Sequence, residues 1–222
     1  MCTGAHTTRM PEPRSDSGFP ELPDTEWPSE PCVARLRFDA SCVHTGAVRL
    51  FVAVDLPVPV VHLVGMLPRP VREGLRWTTP WQWHVTLQFL GDVDDPDAVA
   101  DALSGTPSRW HAGAVEAQLG PRTVWFRGGR VLYIPVTGLE ALADTVHDAT
   151  SRWGPHEGPA FAGHLTLARF RGGDSGPADI AGTPIAARFE VPDVVLYASS
   201  LGPEGATYRA LSHVPIMRDG RT

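Results

Sequence analysis

His84-Val85-Thr86-Leu87-Gln88-Phe89-Leu90-Gly91 decides the fold, because it alternates as a strand does and has a near copy at His164-Leu165-Thr166-Leu167-Ala168-Arg169. In an extended chain, residues i and i+2 share one face and the residues between them share the other. The alternation predicts His84, Thr86 and Gln88 on one face, with Val85, Leu87 and Phe89 in a core. In the copy it predicts His164 and Thr166 on one face and Leu165 and Leu167 opposite. Each strand would bury an apolar side and present an imidazole beside a hydroxyl. A single His-x-Thr-x arises easily by chance. Two copies in matching surroundings do not.

The surroundings match. Leu50-Phe51-Val52-Ala53-Val54-Asp55 reads as a strand, 57–67 as a short helix, and His84 follows. Leu132-Tyr133-Ile134-Pro135-Val136 reads as a strand, 139–153 as an amphipathic helix, and His164 follows. From Leu50 to His84 is 34 residues and from Leu132 to His164 is 32, which reads as an internal duplication with one histidine per half.

A helix is expected at 95–104, where Asp94, Asp95 and Asp97 suit an N-terminal turn. Strands are expected at 113–119, 122–127, 130–136, 164–170, 186–197 and 206–213, with Gly128-Gly129 turning one hairpin. Strands outnumber helices and the hairpins imply antiparallel pairing, so the class is α+β. Residues 1–46 carry prolines at 11, 13, 20, 23, 28 and 31 among many small polar residues, a composition expected to be disordered. The folded domain is expected over 48–216, with 217–222 as a tail. Its opening at Val48 also raises the reading that translation starts there, at a GTG codon.

Composition narrows the chemistry. All 19 basic residues are arginine, so a ligase that forms a lysine-nucleotide intermediate is excluded. No Gly-x-x-x-x-Gly-Lys loop is present, which excludes a P-loop nucleotidase. The net charge of −6 argues against coating of long nucleic acid, although Arg122, Arg127, Arg130, Arg169 and Arg171 could hold one end of a strand. Cys2, Cys32 and Cys42 match no zinc spacing and no disulfide framework. No apolar run of about 18 residues or signal peptide is evident, and the protein is expected to be soluble, cytoplasmic and monomeric.

Two imidazoles suit paired acid-base work on one phosphate, since histidine holds both protonation states near neutral pH. Threonine hydroxyls can donate to non-bridging phosphate oxygens, and Arg169 can add a charged contact, although strict alternation sets Arg169 on the face opposite His164. The His-x-Thr-x motifs contain no Asp or Glu ligands, and no metal or other cofactor is expected.

The segments Arg49 to Pro57, Trp77 to Gly91, Gly163 to Arg169 and Val195 to Ser199 resemble the 2H phosphoesterase superfamily, most closely its bacterial and archaeal RNA 2′,3′-cyclic phosphodiesterases, once called 2′-5′ RNA ligases. The resemblance spans about Val48 to Ile216 and departs at Gly163, where the family usually has proline. It implies two lobes of antiparallel sheet related by a pseudo-twofold axis, with outer helices, enclosing a central cleft. It implies hydrolysis of a 2′,3′-cyclic phosphate on an RNA 3′ end or small nucleotide to a 2′-phosphomonoester. In that reading His84 is the proton donor, His164 the proton acceptor, and Thr86, Thr166 and Arg169 bind phosphate. Reverse 2′-5′ joining would be a side reaction. Rival readings are action on another cyclic or 2′-5′-linked nucleotide, and a non-catalytic RNA-end binding module.

Overall fold

Ten strands join edge to edge in the computed structural model, which describes residues 47–105, 114–155, 160–173, 175–202 and 205–216. These lie in the compact unit His44–Thr222. The expectations for 1–46 and 217–222 fall outside the described residues.

The elements are β1 (Val48–Asp55), α1 (Val58–Gly65), β2 (Leu75–Trp77), β3 (His84–Val93), α2 (Pro96–Ser104), β4 (Glu116–Leu119), β5 (Val124–Trp125), β6 (Val131–Thr137), α3 (Glu140–Thr150), β7 (His164–Phe170), β8 (Ala187–Glu190), β9 (Asp193–Gly202) and β10 (Gly205–Pro215). The sheet runs β10-β9-β1-β3-β7-β6-β4-β8, with β2 on β7 and β5 on β6, all antiparallel. It does not close. Its order divides into two four-strand halves meeting at β3 and β7, as expected of two related lobes.

Local chemistry accounts for the elements. β1 is buried from Leu50 to Val54, as befits an apolar run between two neighbouring strands. Asp95 caps α2 by accepting from the Ala98 N–H at 3.1 Å, with Pro96 in the first turn. α3 buries Leu142, Ala143, Val146 and Thr150, a stripe at helical spacing. Gly128 and Gly129 both take positive φ between β5 and β6, where the Phe126 N–H meets the Val131 carbonyl at 2.9 Å.

The elements depart from expectation at three points. The strand expected over 186–197 is two strands, β8 on β4 and β9 between β1 and β10, parted at Val191-Pro192 because proline has no N–H to continue a ladder. β2 was not anticipated; three residues are too few to show a period.

The third point concerns the duplication. Asp55 pairs with His84 and Ala53 with Thr86, whereas Pro135 pairs with His164 and Tyr133 with Thr166. The residue equivalent to Leu132 is therefore Val52, not Leu50, and each lies 32 positions before its histidine. The two halves match even in an irregularity. β1 skips from Thr86 to Gln88 between Ala53 and Val52, and β6 skips from Thr166 to Ala168 between Tyr133 and Leu132. Leu87 and Leu167 are the extra residues of two equivalent β-bulges.

Candidate active site

β3 and β7 pair at Val85 and Leu165, both fully buried on the helix side. Continuing that antiparallel register one residue either way sets His84 beside Thr166 and Thr86 beside His164. Each imidazole thus stands next to the hydroxyl of the other half, on the face away from the core. Neither threonine hydroxyl has a protein partner among the described residues.

The bulges decide what shares this face. Beyond Leu167 the alternation restarts one residue late, so Leu167 and Ala168 are both buried and Arg169 emerges on the side of His164. The conflict that strict alternation posed for Arg169 is thereby removed. The same shift at Leu87 overturns the expectation for the residues that follow it. Gln88 turns toward Gly154 after α3, and Phe89, 63% exposed, joins the histidine face. Phe89 and Arg169 hold equivalent places in the two halves.

A cavity of about 420 Å³ opens here, walled in part by Phe51, His84, Phe89, Arg169, Leu201 and Tyr208. His164, Thr86 and Thr166 lie outside its wall. Aromatic rings hold both imidazoles. Phe51 lies 4.9 Å from the His84 ring and Tyr208 meets it edge-on at 5.0 Å. Phe126 meets His164 edge-on at 4.8 Å, with Tyr133 stacked on Phe126 at 3.9 Å.

Each ring is also tied to the carbonyl two residues before it. His164 Nδ1 donates to Ala162 O at 2.8 Å, leaving Nε2 free, and a ring N–H of His84 donates to the Gln82 carbonyl. Burial pushes the His84 pKa down to about 4, and the positive charge of His164 and Arg169 adds to that against the Gln82 hydrogen bond. His84 is neutral at pH 7 in the free site. Asp55, paired with His84 across the ladder, accepts the Tyr197 hydroxyl on both oxygens, at 2.7 and 2.9 Å. Burial raises its pKa.

Several residues here were not read from the sequence. Thr78 donates to the Thr166 and Leu167 carbonyls at 2.9 and 2.8 Å and accepts from Trp83 Nε1 at 3.0 Å, which fixes the β7 bulge to the entry of β3. Tyr197 and Tyr208 come from the last two strands, far from both motifs. Tyr197 lies within Val195 to Ser199, a segment that carries the family resemblance, but neither tyrosine stands near a His-x-Thr-x motif that would mark it for the site. Trp83 belongs to the core, Trp77 donates to Pro70 O at 3.1 Å, and Trp81 is 78% exposed. Among the described residues no three His, Cys, Asp or Glu side chains gather as a metal site would need, and no helix is long and apolar enough to cross a membrane.

The sequence model of the 2′-5′ RNA ligase superfamily matches residues 69–202. Among solved structures, TT0787 of Thermus thermophilus is similar at 25% identity and a TM-score of 0.62, over 78% of this chain and all of that one. Escherichia coli LigT in complex with 3′-AMP is similar at 27% identity and a TM-score of 0.59, over 77% of this chain and 98% of that one. A protein described as a phosphoesterase matches at 26% identity and a TM-score of 0.59, over 76% and 98%. LigT has also been solved with phosphate, NADP+ and ATP. No curated protein matches.

Proposed function

We propose a reaction for this chain, which belongs to the 2′-5′ RNA ligase superfamily: hydrolysis of a terminal RNA 2′,3′-cyclic phosphate to a 2′-phosphomonoester. Membership and the likeness to a phosphoesterase make it an enzyme acting on phosphodiester bonds. The RNA end as substrate is our reading.

One observation carries it, the pairing of Val85 with Leu165 across β3 and β7, whose register continued by one residue sets His84 beside Thr166 and His164 beside Thr86. A phosphate lying over that pair has an imidazole on each side and a hydroxyl for each non-bridging oxygen. His164, held through Nδ1 on Ala162, turns Nε2 to a water and takes its proton. The water oxygen bonds to phosphorus, the bond from phosphorus to the ribose 3′ oxygen breaks, and His84 gives that oxygen its proton. Thr86, Thr166 and Arg169 hold the oxygens on which negative charge builds. The cyclic diester's own negative charge, arriving beside His84, favours the protonated imidazole that the free site disfavours.

The test is the full chain in excess chelator, given a nucleoside 2′,3′-cyclic phosphate and a short RNA ending in one, with products identified by phosphorus NMR. A 2′-phosphate that disappears in both His84→Ala and His164→Ala is the expected result. No turnover by the folded wild type would overturn the reading, and so would a 3′-phosphate product.

A further inference from the structure

We propose that Arg76, beside Arg169, receives the phosphodiester linking the terminal nucleotide of an RNA to the one before it, so that oligonucleotide ends are preferred over mononucleotides. This rests on the reaction proposed above.

β2 and β7 place Arg76 directly opposite Arg169. Opposed residues of an antiparallel pair leave from the same face, so Arg76 shares the face on which Arg169 walls the cavity. Like charges in that position repel, which is a cost to the sheet. Three other arginines meet carboxylates: Arg49 meets Asp92 at 3.4 Å, Arg72 meets Asp179 at 3.1 Å and Arg188 meets Glu116 at 3.6 Å. Among the described residues neither Arg76 nor Arg169 has a carboxylate partner.

Arg76 also packs against the start of β10. Its guanidinium packs so closely on Gly205 that a Cβ there would lie 2.9 Å from Nη2, and the next residue, Ala206, lines the cavity with Arg169. The charge count then points to an oligonucleotide. A cyclic phosphate end carries one negative charge, which a protonated imidazole and Arg169 already meet. A second guanidinium on the same face, packed on Gly205, calls for a second anion, and the nearest one on an RNA is the preceding phosphodiester. A lone nucleoside cyclic phosphate has none.

Two dinucleotides ending in a 2′,3′-cyclic phosphate separate the contributions, one with the natural linkage and one with an uncharged methylphosphonate. Wild-type kcat/KM is expected to favour the charged linkage by about tenfold, the size of one charge-assisted contact. Arg76→Gln should bring that ratio near one, and Arg76→Lys should restore part of it. For the charged dinucleotide, Arg76→Gln should also flatten the salt dependence of binding by about 0.7 in log-log slope, one single-strand phosphate. Equal wild-type use of both linkages would overturn the proposal, as would a variant that slows both and leaves their ratio intact. Calorimetric binding of the corresponding dinucleotide 2′-phosphates makes the same comparison without turnover. Absent hydrolysis would therefore sink the proposed reaction, while the role of Arg76 would stand or fall on the charged-to-neutral binding ratio.

Discussion

His84 carries the acid-base behaviour of the site, because burial and the charges of His164 and Arg169 all oppose its protonation. If it is the donor, the productive form carries its proton on the ring that burial holds neutral in the free site. That form is a minor one until an anion enters, and the titration belongs to the pair. The profile of kcat/KM reports the free enzyme and that of kcat the complex. Activity is lost in acid when both rings are protonated, so the acid limb of kcat/KM should lie near pH 4, set by His84. The acid limb of kcat should lie at higher pH, because bound phosphate favours the charged imidazole. Arg169→Gln should move the kcat/KM limb upward by removing a repelling charge. A wild-type limb at the ordinary histidine value of about 6.5 would show that the cavity does not hold His84 neutral.

The bulges at Leu87 and Leu167 explain what could be read from the sequence and what could not. Alternation sufficed for His84, Thr86, His164 and Thr166 because all four precede the bulge in their strand. It failed for Gln88 and Phe89, and left Arg169 on the wrong side, because a bulge depends on the partner strand and leaves no period in its own. Thr78 ties down the β7 bulge: its one hydroxyl proton is shared between the Thr166 and Leu167 carbonyls, and its backbone N–H also donates to Leu167 O at 2.8 Å. Thr78→Val should lower unfolding free energy by about 1–3 kcal/mol in denaturant titration, since the Thr166 carbonyl and the Trp83 indole N–H lose a partner while Leu167 O keeps the backbone N–H. It should also reduce kcat, because Thr166 is one of the residues held. Combined with Trp83→Phe, the losses should be non-additive by about 0.5 kcal/mol or more. Gly163 is a second such point. A Cβ there would run into the Val136 carbonyl oxygen of β6, which accounts for the departure from proline at a position where the Val136 N–H meets the Gly163 carbonyl at 2.8 Å. Gly163→Ala should destabilise by about 1–3 kcal/mol, as overpacking does, and reduce kcat through the adjoining His164. An unchanged melting temperature together with an unchanged kcat would refute that account.

At the scale of the whole molecule, the last strands return to the first. β9 pairs with β1 and brings Tyr197 onto Phe51 at 5.2 Å, and β10 brings Tyr208 against His84. The environment of His84 therefore exists only when both ends of the described domain have come together, and its lowered pKa is a property of the complete fold. That ties stability to pH with a definite sign. His84 binds its proton near pH 6.5 when unfolded and near pH 4 when folded, so the unfolded state takes up the proton first as pH falls. Its contribution is intact above about pH 6.5 and is lost progressively toward pH 4. Asp55 acts in the opposite sense, because burial raises its folded pKa above 3.8 and acidification through that value favours the fold. Tyr197, raised by burial and by Asp55, adds stability below about pH 10 that is lost at higher pH. Comparing wild type with His84→Gln isolates the histidine, since both proteins keep Asp55 and Tyr197. The wild-type melting temperature should fall more steeply between pH 6.5 and 4 than that of the variant. Parallel curves would mean that His84 titrates alike in the folded and unfolded chains, and that the aromatic enclosure built by β9 and β10 does not exclude water from its ring.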